Sequence, residues 1–65
     1  MSDHVKRMEI EFNELNTKIN ALSKFIHLKN VFQTLDYLEQ IRMIKQLGFM
    51  QSYADVLNTR LEEAE

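Results

Sequence analysis

The sequence contains no cysteine and no proline, and its one glycine is Gly48. Without cysteine, a chain of 65 residues cannot be stapled by disulfides. A domain of this size buries only about 60% of the surface its unfolded chain exposes, so it is marginal unless a metal or self-association adds stability. A metal lacks ligands: His4 and His27, if both lie on one straight helix, stand roughly 35 Å apart at 1.5 Å per residue. No cofactor is expected, and association is the route that remains.

Other absences narrow the function. No apolar run approaches the ~20 residues that span a bilayer, and none follows a basic start as in a signal peptide. The expectation is a soluble cytoplasmic protein with no membrane contact. A net charge of -2 argues against a dedicated nucleic-acid binder, which needs a clustered excess of Lys and Arg, and is too weak for a DNA mimic. There is no nucleophile beside a base, no Gly-rich phosphate loop and no His or Cys pair at ligand spacing. The acidic cluster Glu9, Glu11 and Glu14 reads as a solvated helix surface. The chain does not read as an enzyme.

What is present is periodicity. Apolar residues return every three or four positions at Met43, Leu47, Met50, Ala54, Leu57, Leu61 and Ala64, which is a heptad seam. A counterpart lies upstream at Val5, Met8, Phe12, Leu15, Ile19, Leu22 and Ile26. Two helices with matching stripes pack on each other. Ser2 or Asp3 can cap the first, and nothing breaks it before its end, so helix 1 is expected over residues 3–28. Asn30 tolerates the left-handed conformation that ends helices and is the expected stop. Residues 29–35 form the connection, in which Val31, Phe32 and Leu35 need cover and Phe32 plugs the closed end. Asp36 and Glu39 have capping-box spacing, so helix 2 is expected over residues 36–62.

A short connection between long helices makes them antiparallel. The expected fold is therefore all-α: one domain over residues 1–65, a coiled-coil-like antiparallel hairpin of two helices that assembles into a homo-oligomeric bundle. Leu38, Ile41, Ile44, Phe49 and Val56 lie outside the main seam and exceed what one partner helix covers, so they are expected to face another protomer. Gly48 joins that set as a site of close helix crossing, or is a tolerated neutral residue that costs about 1 kcal/mol relative to Ala. The seams mix residue types and leave the number of protomers open.

Charge is bipolar along the hairpin. Residues 15–50 hold five basic residues, Lys18, Lys24, Lys29, Arg42 and Lys45, against Asp36 and Glu39, a net of +3, while the two ends carry a net of -5. Such polarity suits antiparallel association or an anionic ligand, and equally suits plain solvated faces. Beside the seam, Gln46, Tyr53 and Arg60 recur every seven residues on one flank of helix 2, and Glu11 and Lys18 hold the same register on helix 1. Gln, Tyr and Arg in a row can hydrogen-bond to and stack on a planar anion. Phosphates would fall to Arg42 and Lys45, or to Arg7 and Arg60 across the hairpin. Alternatively, Arg60 pairs with Glu11 or with another acid near the open end, and Tyr53 stacks in the interface with its hydroxyl at the rim.

The set His4, Arg7, Glu11, Leu15, Lys18, Leu22, Phe25, Ile26, Phe32, Leu35, Gln46, Met50, Tyr53, Leu57 and Arg60 resembles a family of very small phage and prophage proteins related to a crAss-like phage protein. The likeness covers nearly the whole chain, and Gln46, Met50, Tyr53 and Arg60 at their mutual spacing carry its specificity. Members often have proline near the start of helix 2, where this chain has Asp36; the difference affects the cap. The resemblance implies a phage accessory protein in the host cytoplasm, a counter-defence or host-takeover factor. By analogy with unrelated small helical oligomers, it acts stoichiometrically on a nucleotide signal, such as a cyclic nucleotide, or on a host defence protein. A structural or adaptor coiled coil for protein–protein interaction is the alternative.

Overall fold

The computed structural model describes residues 3–64, and these are helical apart from short joints. Helix α1 spans Asp3–His27, α2 spans Lys29–Phe32 and α3 spans Tyr37–Ala64. Asp3 is already helical, so of the two proposed caps only Ser2 precedes α1, and it lies outside the described residues.

The first helix does not end as the sequence suggests. Asn30 sits inside α2, and no described non-glycine residue has positive φ. The break is instead at Leu28, with φ -81° and ψ 82°, after which the chain re-enters a single helical turn. His27 adds a local tie near the end: its Nδ1–H donates to the Ser23 carbonyl, one turn back, at 2.7 Å. Thr34 Oγ1 donates to the Val31 carbonyl at 2.6 Å beyond α2. The connection is only partly covered. Phe32 and Leu35 are half-buried, but Val31 and Leu28 are exposed.

At the start of α3, Asp36 is a true cap. Its Oδ2 accepts the Leu38 N–H at 3.1 Å, and its carbonyl accepts the first helical bond, from the Gln40 N–H at 3.0 Å. The reciprocal half of the capping box is missing, because the Glu39 carboxylate turns to Arg42, 3.4 Å away. Gln40 adds a second tie by donating from Nε2 to the Leu35 carbonyl at 2.9 Å.

The long helices pack side by side in opposite directions. Near the chain termini Val5 and Met8 surround Leu57, with Phe12 and Leu61 against them. Further in, Leu15 and Ile19 meet Ala54, flanked by Phe12, Leu47 and Met50. Phe12 belongs to both groups and joins them. Among the described residues Leu57 alone is fully enclosed, at 0% exposure. The result is a rod measuring 47 × 14 × 13 Å over its Cα atoms. Its radius of gyration is 14.8 Å, against about 10.7 Å for a compact chain of this length.

Candidate functional site

A helix buried along one stripe presents its other residues to solvent, and at 3.6 residues per turn those positions sort into arcs. On α3 the buried stripe contains Ala54 and Leu57. On one flank of that stripe, Arg42, Lys45, Gln46, Phe49, Met50 and Tyr53 line an open groove of about 420 Å³. Four proposed ligand residues therefore meet: Gln46, Tyr53, Arg42 and Lys45.

The groove has an apolar floor and a cationic end. Met50 is half-buried between the core and the groove, and Gln46 Nε2 donates to its sulfur at 3.9 Å. Phe49 is 73% exposed and Tyr53 45% exposed, so both rings remain available for stacking. Arg42 is tied to Glu39 by an ion pair exposed at both ends, which holds it weakly. The Lys45 ammonium, also exposed, sits one turn along. Two cations beside two aromatic rings and an amide can grip a planar anion by charge, stacking and hydrogen bonding together.

Arg60 and Arg7 stand apart from this groove. Arg60 is exposed one heptad beyond Tyr53 and pairs with neither Glu11 nor any other described residue. Arg7 donates from Nε to the Asp3 carbonyl at 3.4 Å and borders a shallow depression on α1 with Asp3, Lys6 and Ile10. The pair does not share a cavity.

The proposed interface residues divide into two arcs. Leu38, Phe49 and Val56 share the groove side, while Ile41, Ile44 and Gly48 lie roughly 90° around the helix. Leu38, Ile44, Phe49 and Val56 are exposed, and Ile41 is half-buried. A Cβ added at Gly48 would meet nothing within 4 Å, so α1 and α3 do not use it to approach one another. Two groove residues are not among the ligand contacts expected from sequence: Phe49, expected at an interface, and Met50, expected in the seam and among the residues that carry the family resemblance. Their signal was available, since both lie one turn from Gln46 and from Tyr53.

The described residues form a small all-helical fold with an open groove on one flank of α3. The chain belongs to the Sequestin family, whose model matches residues 2–63. It is 39% identical over 57 residues, 88% of each chain, to the uncharacterized 7.5 kDa protein of the denB–rIIB intergenic region of Enterobacteria phage T4. No solved structure matches it. The family name denotes binding that withdraws a target, and the relative places the chain among small phage proteins. No described helix is long and apolar enough to cross a membrane.

Proposed function

We propose that this protein is a non-enzymatic phage factor that works by stoichiometric binding in the host cytoplasm, counteracting defence by sequestering a small planar anion such as a nucleotide signal. The observation that carries the reading is the convergence of Arg42, Lys45, Gln46, Phe49 and Tyr53 on one groove. The cations take phosphate, the rings take a base, and the amide selects its edge. A sequestering protein needs nothing more, because capture without turnover requires affinity but no reacting group. The hairpin is read as a protomer of a homo-oligomer, and the narrower kinship with the crAss-like phage protein rests on Gln46, Met50, Tyr53 and Arg60.

The exposed apolar residues Leu38, Phe49 and Val56 favour a second reading, an adaptor that captures a host defence protein. Native mass spectrometry with a panel of cyclic di- and trinucleotides and ADP-ribose derivatives separates the two. Uptake of one compound in fixed ratio is expected. Lys45→Ala and Tyr53→Ala should each weaken it about tenfold or more, the scale of one lost charge-assisted or stacking contact. A panel that leaves the mass unchanged would move the assignment to a protein target.

A further inference from the structure

A groove walled by one helix cannot enclose a ligand, and all six residues around this one come from α3. Their spacing is informative. Arg42, Lys45, Gln46 and Phe49 fall at i, i+3, i+4 and i+7, and Gln46, Phe49, Met50 and Tyr53 repeat the pattern four residues on. Four side chains so spaced form the hole that receives a knob from a facing helix. The groove is two such holes in succession, and α1 already occupies a different stripe of α3.

We propose that a second copy of this chain docks its α3 antiparallel along this face, with the two-fold axis beside Phe49 and Met50. The row beside the groove is self-complementary about that axis. Glu39, Gln46, Tyr53 and Arg60 recur at intervals of seven, and all four are exposed. Antiparallel pairing sets Glu39 opposite Arg60 of the second copy and Gln46 opposite its Tyr53, an ion pair outside a hydrogen-bonding pair on each side of the axis. Parallel pairing would set Glu39 against Glu39 and Arg60 against Arg60, so charge selects the direction. The arc carrying Ile44 and Gly48 has no such row: its residues at intervals of seven, Ile41, Gly48, Asp55 and Glu62, include acids but no basic residue.

Area agrees with the charge pattern. A compact monomer of 7.8 kDa exposes about 4,400 Å², whereas this chain exposes 5189 Å². The excess is about what one partner loses in an interface of standard size. Phe49, the most exposed of the large apolar residues, lies at the axis, where buried aromatic anchors carry most of the energy of an interface. In the sequestration reading, on which this clause rests, the docked pair leaves the ligand the two ends of this face, where Arg42 and Lys45 of each copy stand beside the Tyr53 ring, while Phe49 serves the contact between copies rather than the base.

Sedimentation velocity of the full chain without ligand tests the docking independently of any ligand result. The wild type should sediment as a dimer, twice 7.8 kDa. Phe49→Asp, at a side chain that the isolated fold leaves exposed, should give a monomer of unchanged helicity by circular dichroism. Arg60→Glu should weaken dimerisation about tenfold through two symmetric repulsions, and Glu39→Arg added to Arg60→Glu should restore it to within a few fold. A wild-type monomer or a mass other than the dimer overturns the proposal. So does a Phe49→Asp dimer, or a double variant no tighter than Arg60→Glu alone.

Discussion

The half of the molecule near the chain termini and the half near the connection carry the same kind of stripe, yet they close differently. Among the described residues the six buried ones, Val5, Met8, Leu15, Ile19, Ala54 and Leu57, belong to the terminal half and the middle. Toward the connection Leu22, Ile26, Phe32, Leu35, Ile41 and Met43 stay half-buried. Side-chain size accounts for much of this. Ala54 lets α3 approach Leu15 and Ile19 closely, and Phe12 then roofs both clusters. Near the connection the half-buried positions are mostly large, and two helices alone leave such a seam open along its sides. Charge follows the same division, with acids gathered at the termini and Lys18, Lys24, Lys29, Arg42 and Lys45 on the other side. One half holds the buried residues of the described chain; the other holds cations and half-covered apolar side chains.

The sharpest way to break that comparison is to remove an equivalent side chain from each half. Leu57→Ala empties a fully enclosed position and should cost about 3 kcal/mol or more. Ile26→Ala removes a similar volume from a half-covered site and should cost about 1 kcal/mol, because its burial is partial. Urea unfolding monitored by circular dichroism at one fixed protein concentration reads both. Equal losses would mean that the connection half is as well packed as the terminal half, and would remove the distinction.

A smaller effect sharpens the same contrast at the connection, where local bonds replace packing. Asp36→Ala deletes the acceptor for the Leu38 N–H and should cost about 1 kcal/mol, with unravelling confined to the first turn of α3. Asp36→Ser should recover most of it, since a hydroxyl also caps. Amide exchange localises the change: faster exchange at Leu38 and Glu39 with Leu57 unaffected is the expected pattern, whereas uniform acceleration would show that the cap supports the whole fold.

The stripes were legible because a heptad repeat encodes facing surfaces directly, and the residues around Leu57 follow from counting. The end of α1 was legible to within one residue, 28 against His27, but its cause was not. Leu28 is a good helix former by propensity, and nothing in its own chemistry announces φ -81° and ψ 82° there; the turn is imposed by how the chain must fold back, which outweighs propensity at a single residue. Asn30 drew attention for a conformation it could adopt and did not need. Within the candidate site, the seven-residue spacing of Gln46 and Tyr53 was enough to place them on one flank, and Arg42 and Lys45 joined them because charge was counted along the chain. Arg7 and Arg60 both lie toward the open end, but position along a rod does not fix position around it: Arg7 borders the depression with Asp3, Lys6 and Ile10, and Arg60 does not line it.

Gly48 gives the smallest effect, and its direction separates the two arcs of α3. Glycine inside a helix costs the isolated chain about 0.5–1 kcal/mol relative to alanine, because the unfolded state has more conformations to lose. Helical backbone and open space at the added Cβ remove any steric objection, so Gly48→Ala should stabilise the lone chain by that amount. The proposed self-docking face runs through Phe49, about a quarter turn away, so a methyl group at Gly48 should leave the dimer mass unchanged while raising the unfolding midpoint. If Gly48→Ala instead dissociates the assembly while stabilising the monomer, the Ile44–Gly48 arc is the true contact, and the glycine is retained for close approach of another helix rather than tolerated.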